Sequence, residues 1–387
     1  MLHRHLFSAI AFVAFLSLHA SAQDNPGSFR RVIDRFSQPS AVLDPAAVYQ
    51  PAARWSFALT GDLRQAGTSQ DRNFETEMFD MDEYGNIDII DIPVVINSSL
   101  NGSVDKAVGF QVGYGKLNLA LSKRFRGEGS DSSFSFDYLS AGAGVSVQYL
   151  KLAHEVAYDL IFGDESFPLY TMYSGVTEKP GELRAFIVDA FYAFNRRTFA
   201  YSAAYKGNVL QRRSAGSWMF GSKLILSDFS IDPWEIIAVW SGGQAKQSSA
   251  QVSFGGGYSL NLVPLHRQPY GDREKGLRNL TINITGIPMV TLFNQFTVTG
   301  YEFSDVKEDY VPSGKSVMNG KLLLNYVARL GIGYTHDLYT FNLSASNDSF
   351  AYRGTSSIVY QGVSNDKVDT SGKFFRWSVA LRLCKHF

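Results

Sequence analysis

Four histidines lie beyond residue 22 of this 387-residue chain: His154, His266, His336 and His386. Such side chains are where general acid–base chemistry or zinc ligation would start. None stands at the spacing of a metal pair such as H-E-x-x-H, so zinc is not expected. Serines and aspartates are plentiful enough to draw a Ser-His or Asp-His arrangement around His154 or His336. A catalytic triad, however, is defined by geometry and not by composition. The densest group of hard oxygen ligands is DMDEYGNIDIID, Asp80 to Asp91. There Asp80, Asp82 and Asp88 fall at positions 1, 3 and 9 of an EF-hand-type loop, with Gly85 at the sharp turn, and they are candidate calcium ligands. Tyr84 at position 5 and Asp91 in place of the terminal Glu depart from that pattern, and no helix flanks it, so a solvated acidic loop is the competing reading. Gln211-Arg212-Arg213 is the other concentration of charge; on a strand one arginine would turn to each face, and an ion pair is the ordinary outcome. The single cysteine, Cys384, excludes an internal disulfide.

What must position these residues is a membrane sheet. The N-terminus opens on Met1-Leu2-His3-Arg4-His5, runs apolar from Leu6 to Leu18 and ends on Ala20-Ser21-Ala22. That is the pattern of a secretory signal peptide cleaved after Ala22. No later stretch approaches the apolar length of a helical span, which leaves a closed barrel as the way to satisfy every backbone group in lipid. Composition agrees: 29 Phe, 20 Tyr and 5 Trp accompany 34 Gly. Lys+Arg and Asp+Glu balance at 36 each, so no nucleic-acid partner is expected.

Alternation of period two carries the fold. Phe375, Trp377, Val379, Leu381, Leu383 and Phe387 share one face, against Arg376, Ser378, Ala380, Arg382, Cys384 and His386 on the other. Near the start, Trp55, Phe57, Leu59 and Leu63 oppose Arg54 and Arg64, so Arg54, Arg64, Arg376 and Arg382 are expected to face the lumen. The terminal Phe387 resembles the aromatic signal read by the barrel-assembly machinery. Hairpins are expected at Val108–Tyr114 with Leu117–Leu121, at Val145–Tyr149 with Val156–Phe162, and at Leu322–Tyr334 with Tyr339–Leu343. Segments 66–86, 163–182, 264–276, 302–319 and 347–372 read as long loops, and Pro93 and Pro288 count against regular strands around them or mark bulges. The prediction is an all-β, transmembrane, antiparallel up-and-down barrel of about 12 strands, roughly 10 to 16 being compatible. Residues 1–22 form the signal peptide, 23–52 a periplasmic helix or a segment in the barrel mouth, and 53–387 the barrel.

Four stretches resemble a family of outer-membrane barrels from Bacteroidetes that is known only as a domain of unknown function. They are Val32 to Phe36 with Leu43-Asp44-Pro45 and Val48-Tyr49, NRRTFAYSAAY (195–205) continuing to Ser217, GGGYSLNLVP (255–264), and LTINITGIPMVTLFN (280–294). The resemblance implies a closed barrel in the outer membrane of a Gram-negative cell, in contact with lipid and lipopolysaccharide, and implies no catalytic or binding residue. From the sequence the favoured function is a non-enzymatic narrow channel for small solutes, mildly anion-selective because of its inward arginines. A closed barrel acting through its outer loops in surface binding or envelope structure comes second, and an outer-membrane hydrolase third.

Overall fold

The computed structural model describes residues 43–51, 55–81, 87–101, 104–124, 132–163, 170–240, 243–269, 275–320, 323–360 and 363–387. In chain order the strands are β1 (Val48–Tyr49), β2 (Trp55–Met81), β3 (Ile87–Asn101), β4 (Asp105–Tyr114), β5 (Leu117–Arg124), β6 (Ser132–Leu139), β7 (Ala143–His154), β8 (Ala157–Phe162) and β9 (Thr171–Val176). They continue as β10 (Gly181–Ala193), β11 (Leu210–Gln211), β12 (Ala215–Ser230), β13 (Gln244–Arg267), β14 (Arg278–Ser304), β15 (Asp309–Asn319), β16 (Leu323–His336), β17 (Tyr339–Tyr360) and β18 (Val363–His386). A short helix α1 (Ile236–Trp240) joins β12 to β13.

Twelve strands close a ring: β2, β4, β5, β6, β7, β10, β12, β13, β14, β16, β17 and β18, each antiparallel to the next. The closing seam pairs β18 with β2 from Asp369 opposite Asn73 to His386 opposite Ser56. Beyond it the Phe387 and Trp55 backbones donate to each other's carbonyls at 2.9 and 3.3 Å. The wall follows the alternation expected from the sequence. Trp55, Phe57, Leu59, Val379, Leu381 and Leu383 are exposed on the outer surface, while Ala58, Arg382, Cys384 and His386 are buried inside. An apolar exterior over a partly polar interior is the arrangement of a membrane-spanning barrel.

Three expectations are corrected. Segments 66–81, 302–304, 309–319, 347–360 and 363–372 are strand, because β2, β14, β15, β17 and β18 continue past the apolar band as paired hairpins. Their outer faces there carry Asp71, Asn73, Glu75, Arg353 and Asp369, so the sequence loses its apolar beat although the backbone ladder continues. β9 likewise occupies part of 163–182, and β13 runs on to Arg267. Second, β7 and β8 do not form a hairpin: β7 lies between β6 and β10, whereas β8 leaves the ring to pair with β3 and β9. Third, Pro93 and Pro288 sit within β3 and β14; opposite Pro288 the ladder to β13 skips Gly256 and Gly257, as a residue without an N–H requires.

Inside, one layer of the lumen is apolar, with Thr68, Gln247 and Gln251 buried against it. Leu150, Leu152, Leu183, Ile225, Phe350 and Phe374 project inward from five strands into one buried cluster, which Ile231 and Ile237 of the β12–β13 connection join. Such a cluster gains its stability by excluding water from its apolar surfaces.

Candidate functional site

Between β10 and β12 the chain does not turn back at once. Asn195 ends the strand by donating its N–H to Ser217 Oγ (2.9 Å) and its side-chain amide to the Gly216 carbonyl (3.0 Å), and its own Oδ1 receives the Thr198 hydroxyl (2.8 Å). The chain then folds inward as a 3-10 turn, Tyr201–Ala204, whose four residues are buried. Small side chains permit this: Ala203 and Ala204 lie against Gly333 of β16, where a Cβ would stand 3.0 Å from the Ala203 carbonyl oxygen. Gly207 brings the chain back out with φ +70, a conformation that costs other residues free energy.

Strands around the ring hold this plug. The Asn261 amide of β13 donates to the Ala200 carbonyl (2.8 Å) and that of Asn342 in β17 to the Ala204 carbonyl (2.9 Å). Tyr205 donates its hydroxyl to Asn283 Oδ1 in β14 (2.7 Å), and Arg329 of β16 donates to the Tyr201 hydroxyl (3.1 Å). Lys206 pairs with Asp137 of β6 (3.0 Å) while its carbonyl accepts from Arg382 of β18 (2.9 Å). Asn208 reaches the carbonyls of Gly115 and Leu139 at the β4–β5 and β6–β7 turns. Beneath, β1 pairs with β11, and Ala47 and Val48 pack on Ala200, Ala203 and Val209. Gln211-Arg212-Arg213 therefore does not line the lumen: Gln211 donates to the Thr198 carbonyl (2.6 Å), Arg212 to the Pro45 carbonyl (2.6 Å), and Arg213 pairs with Asp44 (3.3 Å). Residues 43–51 pack beneath the plug, and the rest of the 23–52 segment lies outside the described residues.

Between plug and apolar core lies a cavity of about 320 Å³. Tyr201, Tyr205 and Lys206 line it on the plug side, and Ala66, Leu150 and Leu152 on the core side. Arg64 from β2, and Arg376 and Arg382 from β18, expected at the lumen from period two, all reach it. Arg54 lies outside the described residues. Arg382 is buried and donates to Gln111 Oε1 (2.8 Å), Asn342 Oδ1 (3.0 Å) and the Lys206 carbonyl, all neutral acceptors. Arg64 uses one nitrogen on Ser122 (3.1 Å) and Ser133 (2.5 Å), and its Nε and Nη2 are buried without a partner among the described residues. Arg376 binds Gln148 and Asp348.

A buried charge network unseen in the sequence backs the cavity. Lys223 Nζ lies 3.0 Å from both Asp189 and Asp348, with Lys223 and Asp348 side chains 1% exposed, and 4.6 Å from the Phe350 ring centre. Arg329 stands 3.7 Å from Asp189. The signal was present but faint: Asp189, Lys223 and Asp348 are isolated charges among apolar or neutral inward-facing residues of their strands, where ionised groups must be paired. The plug stretch was legible only as a resemblance, since it carries no periodicity.

The remaining candidates fall elsewhere. Asp80 and Asp88 are cross-strand partners in the β2–β3 ladder, so 80–81 and 87–91 are strand and not one continuous ligand loop; their side chains, and Asp82 altogether, lie outside the described residues. Phe387 projects from the seam with its ring exposed. His266 contacts Asn279 (3.2 Å), His336 its neighbour Asp337 (3.4 Å) and His386 Thr340 (3.0 Å). Asp337 makes the β16–β17 turn at φ +52, a conformation to which aspartate is suited.

A family described as Domain of unknown function (DUF4421) matches residues 69–368. Among solved structures, the outer membrane protease OmpT from Escherichia coli is similar at 7% identity and a TM-score of 0.43, over 91% of this chain and 100% of that one. The P. putida toluene transporter TodX aligns at 8% identity and a TM-score of 0.22, over 90% and 94% of the two chains. A Pseudomonas aeruginosa FadL homologue aligns at 10% identity and a TM-score of 0.21, over 91% and 94%. No curated protein matches the chain.

Proposed function

We propose, for a chain that belongs to the DUF4421 family and takes no activity from that membership, a closed, non-enzymatic outer-membrane barrel that works through the walls it raises above the membrane. The observation that carries this reading is the double block of the lumen. The plug, tied to six ring strands, occupies the end bearing Trp55 and Phe387, and an apolar layer crosses the lumen beyond the cavity. A narrow channel needs a continuous wet path, and side chains this tightly packed deny one.

The strand lengths support the second half of the proposal. A tilted strand crosses hydrocarbon in about 9 to 11 residues. β2 and β14 have 27 residues each, and β13 and β18 have 24, so more than half of each stands outside. In barrels of this kind the termini face the periplasm and the long elements face outward. The raised wall, with Asp71, Glu75, Arg353 and Asp369 on its outer face, then meets lipopolysaccharide and the medium. Signal-directed export and recognition of Phe387 by the assembly machinery complete the reading.

The test is electrical and topological. Purified protein in planar bilayers is expected to give no conductance steps, whereas replacing residues 200–206 by a short Gly-Ser link should admit at most small, flickering ones, because the apolar core remains. A tag inserted beside Arg353 should be labelled on intact cells. Large steady steps in the unmodified protein, or a tag reached only after lysis, would overturn the proposal.

A further inference from the structure

We infer that the cavity between plug and core is a binding site for a small phosphorylated polyol, about the size of a monosaccharide phosphate. The inference rests on the closed lumen but not on the surface role. Size comes first: about 320 Å³ is at the lower end of the volumes that hold small organic ligands, and exceeds what one ion needs.

Charge comes second. Arg64, Lys206, Arg329, Arg376 and Arg382 line the cavity against Asp62, Asp137 and Asp189, which leaves two positive charges in excess. Lys223 and Asp348 behind the wall cancel each other. Excess charge in a partly enclosed cavity inside the barrel is costly unless a counter-charge enters. A phosphate monoester supplies roughly that counter-charge near neutral pH, where it carries about −1.5 to −2. A simple carboxylate supplies half of it.

The donors are arranged accordingly. Among the described residues Arg64 has no carboxylate within 4 Å, and its Nε and Nη2 are unpartnered. A guanidinium with open donors is suited to the oxygens of a phosphate. Around it, Ser135, Ser344, Ser346 and Ser378 line the wall from three further strands. Hydroxyls donate and accept equally, which matches the hydroxyls of a sugar better than a bare ion.

The full-length protein, refolded into detergent micelles with the probe present so that entry past the plug is not limiting, should bind glucose 6-phosphate by calorimetry at one site per chain. Glucose should not bind. Arg64→Gln should weaken binding at least tenfold, and Arg353→Gln, on the exposed wall, should not change it. Should Arg64→Gln fail to fold, Ser135→Leu, which fills the cavity from the wall, should abolish binding. No binding of glucose 6-phosphate, or equal binding by the Arg64 and Ser135 variants, overturns the site. Inorganic phosphate binding as tightly as the sugar phosphate overturns the polyol assignment. Conductance tests closure separately, so the two ideas fail independently.

Discussion

Replacing Lys223 by Met should be among the most damaging single changes to the folded barrel. Met keeps the unbranched stem over Phe350 and removes only the ammonium, which lies 3.0 Å from each of two carboxylates and is 1% exposed. Removing one partner of a buried pair costs about 3 to 5 kcal/mol, because the other charge stays buried and uncompensated. The lower end applies here, since Asp348 retains Arg376 and Asp189 retains Arg329 at 3.7 Å. With a urea slope of roughly 3 kcal/mol per molar, a loss of about 3 kcal/mol moves the unfolding midpoint down by about 1 M. The assay is urea unfolding in lipid vesicles, read as loss of the heat-modifiable band and of tryptophan fluorescence. Asp348→Asn and the Lys223→Met/Asp348→Asn double variant complete a cycle, in which the pair should cost less than the sum of the singles by more than about 1 kcal/mol. A Lys223→Met midpoint within about 0.2 M of the parent would refute the view that the network bears on stability.

Gly207→Ala places a Cβ 2.6 Å from the Thr340 methyl at a φ of +70, so it should destabilise the plug by about 1 to 3 kcal/mol and speed amide exchange across residues 199–207. Phe387→Ala keeps the backbone exchange with Trp55 and removes an exposed ring; the folded barrel should unfold within about 0.5 kcal/mol of the parent while its assembly rate in cells falls. Burial raises the Asp232 carboxyl, but hydrogen bonds from Lys179 and the Trp234 N–H outweigh it and hold the group below the ordinary carboxylate range. A depressed folded value means that this tie is intact above the unfolded value and is lost as pH falls through the folded one, so protease cleavage within 231–243 should rise below about pH 3.8, and Asp232→Asn should already show it at pH 7.

How much of this could be read from the sequence follows from what lipid demands. Where a strand crosses hydrocarbon, one face must be apolar, and the beat through Trp55 to Leu63 and Phe375 to Phe387 shows it. The ring of twelve, the two-residue turn at Gly115-Lys116, and the inward Arg64, Arg376 and Arg382 follow from that beat. Above the membrane no solvent imposes a beat, so the hairpin extensions read as loops. The β7–β8 error has the same root, because alternation says which residues share a face and nothing about which strand lies alongside. The plug was least legible, being held by side chains from strands up to about 180 residues away that no local pattern connects.

The seam between β2 and β18 also sets an order of events. It joins the first and last strands of the ring, so of all the pairings it closes the longest loop and carries the largest closure entropy. The plug is mid-chain, yet Asn342 and Arg382, which grip it, lie beyond it on β17 and β18. A plug seated after closure would have to be pushed through a ring already zipped at 18 residue pairs. One present beforehand gives the late strands a surface to wrap. With the plug seated first, folding would run as the winding of a sheet around its own middle segment, and a chain stalled before β18 would hold its plug in an open trough.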